Sequence, residues 1–323
     1  LPAIWYESVL RWGDEYVMGA TLPGCPLFSV ARTNRLAWGV TYMKGDTTDF
    51  FVEDCRLGGS NGWQYRRLDQ WHDFQLRREV IQRKGADPET LLVLENDQGP
   101  LEMELGQLRP GYHLSCCWTG RQPGYGHALG AWLKVIASPT AAAAMDVARE
   151  CPQPTLCWVF ADVEGHIGLQ GCGRFPKRGN QQIGLAPIPA WDPANHWQGI
   201  LDLDVLPSYY DPPAGFVATA NEEFNPVDGP TLMAHPLPDY RKRRIDERLE
   251  ELPQATLEDM QQLQYDVLSL QARDLLEIFL PHLPESEAKE CLQQWDCRYT
   301  PDSVEATWFL KLYRNVMIEM MGN

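Results

Sequence analysis

The alternation of apolar and polar positions changes character about two-thirds of the way along the chain. Up to His235-Pro236-Leu237-Pro238 the apolar runs are short and broken by glycine, asparagine and proline, the pattern of strands and turns. Residues 27–31 and 36–42, parted by Arg32-Thr33-Asn34, predict a hairpin. Residues 91–94 and 101–105 flank the breaker Asn96-Asp97-Gln98-Gly99-Pro100, and residues 155–161 and 166–170 flank Glu164-Gly165, predicting two further strand pairs. The opening residues 1–6 also read as a strand. Between these pairs Ser138-Pro139-Thr140 predicts the start of a helix over 141–149, with serine as N-cap and proline at the first helical position. Tryptophans and prolines punctuate an irregular stretch over 187–213.

Beyond residue 235 the period becomes helical. Thr256-x-x-Asp259 has the form of a capping box with Asp in place of Glu, and Leu257, Met260, Leu263, Val267 and Leu270 follow as an apolar stripe expected to face the core. Further helices are predicted over 286–294 and 303–321. The expected class is α+β, a β-rich body of residues 1–235 followed by a helical segment of 236–323.

Composition narrows the function classes. Lys and Arg number 28 against 44 Asp and Glu, a net charge of −16, which disfavours nucleic acid or an anionic membrane as partner. No run approaches the roughly 20 apolar residues of a membrane span. The nine cysteines form no C-x-x-C pair, so zinc is not expected and buried thiols are. Bridges joining Cys151 to Cys157 or Cys291 to Cys297 stay open at this point. The histidines show no metal-ligand spacing, and none is given a role.

The string Gly58-Gly59-Ser60-Asn61-Gly62-Trp63 contains a serine in a context suited to a self-cleaving amide hydrolase, but Asn-Gly is also the preferred pair of a tight hairpin turn. Surrounding motifs decide between these. Trp5-Tyr6-Glu7 after Pro2, Gly19-Ala20-Thr21-Leu22-Pro23-Gly24, Ala37-Trp38-Gly39-Val40-Thr41, Asp46-x-x-Asp49 and Lys84-Gly85 occur in that order. They are followed by Ala161-Asp162-x-x-Gly165-x-Ile167-Gly168, Gly173-x-x-Pro176-x-Arg178, Pro187-x-Pro189-x-Trp191, Trp197-x-Gly199, Ala218-Thr219-Ala220-Asn221 and Tyr240-Arg241. This series resembles the β chain of the penicillin acylase (penicillin amidase) family of N-terminal nucleophile hydrolases.

The resemblance implies an αββα sandwich, here partial, and amide hydrolysis through an acyl-serine, with the serine's own α-amine as base. In the family the nucleophile opens the mature β chain, ahead of the Trp-Tyr string. Ser60 lies after that string and is expected to be a turn residue. The chain is thus expected to be an internal piece of the β chain, inactive alone, without the nucleophile, its adjoining strand or the α chain that would be its partner.

Carried over by resemblance, the oxyanion donors are the backbone N–H of Tyr42 and the side-chain amide of Asn221, with Arg241 supporting the site. Many relatives have a second Asn where this chain has Glu222. Asp46 and Asp49, with main-chain carbonyls of Thr48 and Pro176, correspond to a structural calcium site, hard oxygen ligands suiting a hard cation. A periplasmic or secreted location follows from the same resemblance. The substrate would be an acyl amide such as a β-lactam antibiotic or an acyl-homoserine lactone. The rival readings are a catalytically silent binding or scaffold relative and a non-functional fragment.

Overall fold

The computed structural model describes residues 4–180 and 183–322. They divide into two compact units, one drawn from residues 1–212 and 224–236, the other from 213–223 and 237–323. The second unit therefore carries, besides its helices, a loop whose chain neighbours on both sides belong to the first. Pro2 and the start of the predicted opening strand lie outside the described residues.

The strands of the first unit are β1 (Tyr6–Trp12), β2 (Glu15–Leu22), β3 (Cys25–Thr33), β4 (Leu36–Tyr42), β5 (Thr48–Leu57), β6 (Trp63–Arg67) and β7 (Gln70–Asp73). They continue with β8 (Gln75–Ile81), β9 (Glu89–Glu95), β10 (Gly111–Trp118), β11 (Leu156–Asp162), β12 (Ile167–Cys172), β13 (Ile188–Pro189) and β14 (Ser208–Tyr210). A seven-stranded antiparallel sheet has the order β1-β2-β3-β4-β11-β12-β14. The predicted hairpins are β3–β4 and β11–β12.

Two helices, α1 (Ala128–Ala137) and α2 (Ala141–Arg149), supply Trp132, Val135, Ala144, Met145 and Ala148 to a core shared with Val17, Phe28, Trp38, Trp158 and Phe160 of that sheet. Gly168 of β12 makes room for α2: a Cβ there would lie 2.2 Å from Met145 Sδ. The start of α2 differs from expectation. Its N-cap is Thr140, whose Oγ1 accepts from Ala143 N–H at 3.3 Å, whereas Ser138 donates its hydroxyl to Lys134 O at 2.9 Å and closes α1.

A second sheet has the order β10-β5-β6-β7, with β13 parallel beside β5. Its centre holds a fully buried carboxylate, Glu53, satisfied by Arg67 (2.6 and 3.1 Å) and Ser115 (2.8 Å). The predicted pairing of 91–94 with 101–105 is corrected in extent: β9 pairs along its length with β8. The two segments meet only at their near ends, where Leu101 N–H donates to Leu94 O at 2.9 Å, while Leu101 also bridges to Ser115. Asn96 Oδ1 accepts the N–H groups of Gln98 and Gly99, turning the chain toward β10 after a single bridge from Glu95 to Pro100.

The β5–β6 loop spans Gly58 to Gly62 and is closed by Gly58 N–H to Gly62 O at 3.1 Å. It is longer than a two-residue Asn-Gly turn. Gly58, Gly59 and Gly62 take the positive φ values, and Asn61 instead donates its amide to Phe74 O at 2.8 Å.

The second unit comprises α3 (Tyr240–Glu250), α4 (Leu257–Gln264), α5 (Leu270–Phe279), α6 (Glu287–Gln294) and α7 (Val304–Met321). The Thr256–Asp259 capping box forms reciprocally, and Ser286 and Ser303 cap the last two helices. The core-facing stripe does not hold as one face. Leu257 is 86% exposed, and Met260 and Val267 are exposed too; α4 buries none of its residues and stops at Gln264. Asp266 Oδ1 accepts from Leu268 N–H, Leu268 bridges to Arg298, and only after the Ser269 cap does α5 bury Leu270. The unit's core is instead Ala272, Leu276, Leu292, Trp295, Cys297, Ala306 and Phe309.

All nine cysteines are thiols. Cys151 packs in the core beneath α1 and α2, while Cys157 joins a separate cluster with Met43 and Phe175. Among the described residues no helix is long and apolar enough to cross a membrane.

Candidate functional site

In the second unit, the loop ahead of Glu223 and the first turn of α3 meet. Asn221 has φ +65°, a left-handed conformation that asparagine tolerates better than most residues. Arg241 Nη2 donates to Ala220 O at 2.5 Å and to Asn221 Oδ1 at 2.9 Å. A guanidinium has donors only, so the atom of the Asn221 carboxamide that meets it must be the oxygen. The NH2 end is thereby turned away from Arg241. On the other side of the loop Glu222, which is buried, accepts from Ala220 N–H at 2.6 Å and from the Thr219 hydroxyl at 3.3 Å.

The basic run Arg241-Lys242-Arg243-Arg244 separates by function. Lys242 pairs with Asp246, Arg243 with Asp274 (2.6 Å) and Arg244 with Asp266 (2.5 Å). Arg241 is the member of the run that turns to the 219–222 loop.

Tyr42 belongs to the first unit. It ends β4 opposite Leu156 of β11, with its side chain 66% exposed, and the next N–H, that of Met43, donates to Thr155 O at 3.1 Å. A contribution from this position through the main chain is independent of the phenol.

Asp46 and Asp49 converge in the first unit on Arg178, a residue without an assigned role in the sequence reading. Arg178 Nε donates to Asp49 Oδ2 at 2.8 Å, and Nη2 stands 3.0 Å from Asp46 Oδ2. Trp197 Nε1 adds a bond to Asp49 Oδ2 at 2.5 Å. Thr48 donates its N–H to Asp46. Gly184 closes the cluster: a Cβ there would lie 2.3 Å from Asp46 Oδ2 and 2.9 Å from Asp49 Oδ1. Burial pushes the Asp46 carboxyl above its ordinary value, opposed by Arg178 and reinforced by the Asp49 charge.

The donor set admits a cation. One guanidinium faces two carboxylates, so one negative charge is left over, and the buried Asp46 Oδ2 has Arg178 at ion-pair distance as its compensation. Pro176 is positioned nearby in sequence, bridging to Ile200.

Arg178, Trp197, Gly184 and Glu222 are the residues that sequence reasoning left without roles. Arg178 and Trp197 sit inside quoted motifs, and the need of an acidic pair for a cation was the available signal. Ser60 is a turn residue, its N–H and Oγ both on Asp73 Oδ2 at 2.9 and 2.8 Å.

A profile of the penicillin amidase family matches residues 1–323. The acyl-homoserine lactone acylase QuiP of Pseudomonas aeruginosa is 29% identical over 338 residues, covering 96% of this chain and 39% of that protein. Penicillin G acylase of Escherichia coli is 26% identical over 321 residues, covering 91% of this chain and 35% of its own length. Among solved structures, a thermostable penicillin G acylase from Alcaligenes faecalis superposes with a TM-score of 0.80 at 21% identity, over 100% of this chain and 60% of that one, so the fold is shared. The chain spans about two-fifths or less of the length of these curated relatives. With the family profile matched from end to end, the chain belongs to the penicillin amidase family.

Proposed function

We propose that this chain is the part of an acylase precursor that supplies an oxyanion donor for hydrolysis of a small-molecule acyl amide, with the side-chain amide of Asn221 as that donor. The observation that carries this reading is the clamp on Asn221: Arg241 holds the amide oxygen, so the N–H2 end faces away from Arg241. Attack by a serine Oγ on an amide carbonyl concentrates negative charge on the carbonyl oxygen, and a preoriented N–H donor stabilises that charge without reorganising as it forms. Arg241 acts through Asn221 rather than on substrate. The serine, with its α-amine as base, and a partner α chain come from elsewhere in the precursor. The named activities of relatives, on penicillin G and on acyl-homoserine lactones, make an acyl amide of those classes the substrate to try.

Calcium belongs to the same proposal. Asp46, with the carbonyls of Thr48 and Pro176, would hold the ion by exchanging the Arg178 contact at its Oδ2 for it, while Asp49 stays with Arg178 and Trp197. Its contribution is charge compensation in the fold, and no chemical step passes through it.

The test uses a complete precursor that contains residues 1–323, with the isolated 1–323 polypeptide as the blank expected to release no product. Asn221→Ala should lower kcat by about 10²–10³ with KM little changed, because the donor acts on the transition state. A mature, folded Asn221→Ala enzyme that keeps more than half its kcat would overturn the assignment.

A further inference from the structure

We infer that Glu222 is a positioning residue for the oxyanion donor: its carboxylate, reaching back two residues, sets the loop geometry that aims Asn221. The inference rests on the oxyanion reading of Asn221 and adds to it the residue that follows it in the chain.

The geometry centres on one peptide residue. Ala220 is buried, and both of its main-chain groups are held by charged side chains. Its N–H donates to Glu222 Oε2 at 2.6 Å, and its C=O accepts from Arg241 Nη2 at 2.5 Å. The Thr219 hydroxyl donates to the same Glu222 oxygen at 3.3 Å. The next residue, Asn221, then takes the left-handed φ of +65° that swings its side chain onto Arg241. A non-glycine residue holds such a conformation where its surroundings over-determine it, and here they do so with two charge-assisted clamps.

Glu222 is itself only 8% exposed, so its carboxylate is not a solvated surface charge. The loop it closes is the one whose neighbour Asn221 meets the arginine. Without the Glu222 oxygen, the buried Ala220 N–H has no acceptor on that side, and the loop gains a reason to rotate. Rotation of the 220–221 peptide would carry the Asn221 amide off its aim. Displacements of about 1 Å at a positioned group cost up to about 100-fold in rate.

Two substitutions separate reach from charge. Glu222→Gln keeps the length and an amide oxygen able to accept from Ala220 N–H. Glu222→Asp keeps the charge but is one methylene shorter. In the complete precursor, kcat per mature site should fall about tenfold or more in Glu222→Asp at nearly constant KM, while Glu222→Gln keeps most of its kcat. Adding Glu222→Asp to Asn221→Ala should cost nothing further, since the carboxylate acts only through that amide. A variant blocked in maturation is read by the fraction of precursor cleaved, where the same order, Gln above Asp, is expected.

Equal losses in Gln and Asp would overturn the inference. So would a Glu222→Asp enzyme with kcat within twofold of wild type, or a loss that appears only as a lower melting temperature or yield. The two readings fail separately. If Asn221→Ala itself leaves kcat intact, the oxyanion assignment falls; if it costs a hundredfold while Glu222→Asp costs nothing, only the role of Glu222 falls.

Discussion

Ser60 and Asn221 are two polar loop residues that the chemistry of their partners sends in opposite directions. Ser60 gives both its N–H and its hydroxyl to Asp73, whose carboxyl is held below its ordinary range by the Ser60 N–H first, then by Gln64 and the Ser60 hydroxyl. A hydroxyl spent on closing a hairpin loop beside a carboxylate has no imidazole or amine to receive its proton. Asn221, by contrast, has its acceptor end taken by Arg241 and its donor end directed elsewhere. Ser60→Ala in a complete precursor is therefore expected to leave kcat within twofold while lowering the melting temperature slightly. A rate loss beyond tenfold in folded enzyme would return Ser60 to the chemistry.

At the scale of elements, the edge of the seven-stranded sheet is held by a pair of titrating groups. β14 lies beside β12, and just beyond it Asp211 accepts Ile167 N–H at 2.9 Å and pairs with His166 Nδ1 at 2.6 Å, with His166 stacked on Tyr210. The hydrogen bond to Asp211 raises the His166 pKa above 6.5, helped by the charges of Asp162 and Glu164. The Ile167 N–H, then His166, lowers that of Asp211. The histidine's contribution is complete below 6.5 and is lost as pH rises through its raised folded value; the aspartate's is present above 3.8 and is lost as pH falls through its lowered one. The clamp is thus strongest between the two. Both side chains are about two-fifths exposed, so the effect is small and screened by salt. Asp211→Asn keeps the main-chain acceptor and removes the charge. Its melting temperature should trail wild type most at about pH 5–6 and by less above about pH 8, where the histidine's part is gone and the Ile167 N–H bond to the carboxylate remains. A constant gap across that range would assign the stabilisation to the loop alone.

Across the whole molecule, the first unit closes on itself where the β4–β5 loop meets residues that follow β12. Arg178 reaches Asp49 over a separation of 129 residues and Trp197 reaches it over 148, while Asp46 N–H donates to Leu232 O. Removing the Arg178 side chain from this buried cluster would strand two carboxylates, a loss of about 3–5 kcal/mol by the usual cost of breaking a buried pair. The Asp46 carboxyl, raised by burial, is easiest to keep neutral at low pH and costs the fold more as pH rises through its folded value. A bound calcium ion would offset that cost. Chelation should then lower the melting temperature of the complete enzyme, more at neutral than at acid pH, and Asp46→Ala with Asp49→Ala should abolish the dependence. Melting curves that coincide with and without chelator in the unaltered enzyme would end the calcium proposal.

What could be read from the chain before any coordinates was governed by local physics. The hairpins β3–β4 and β11–β12 and the capped helices α6 and α7 follow from period, turn residues and side-chain caps a few positions away. The ordered motifs also made the family legible, and with it Asn221, Tyr42, Arg241 and the two aspartates as residues to watch. Local rules failed where a competing partner lay outside the window. Thr140 displaced Ser138 as cap because Ser138 was taken by α1, and the stripe from Leu257 to Leu270 broke where Leu268 found Arg298 across the unit. The charge that meets Asp46 and Asp49, the acceptor that holds Ala220, and the direction of the Asn221 amide are all set by groups brought together in folding. Composition names the donors and acceptors, but only three-dimensional proximity decides which donor each acceptor receives.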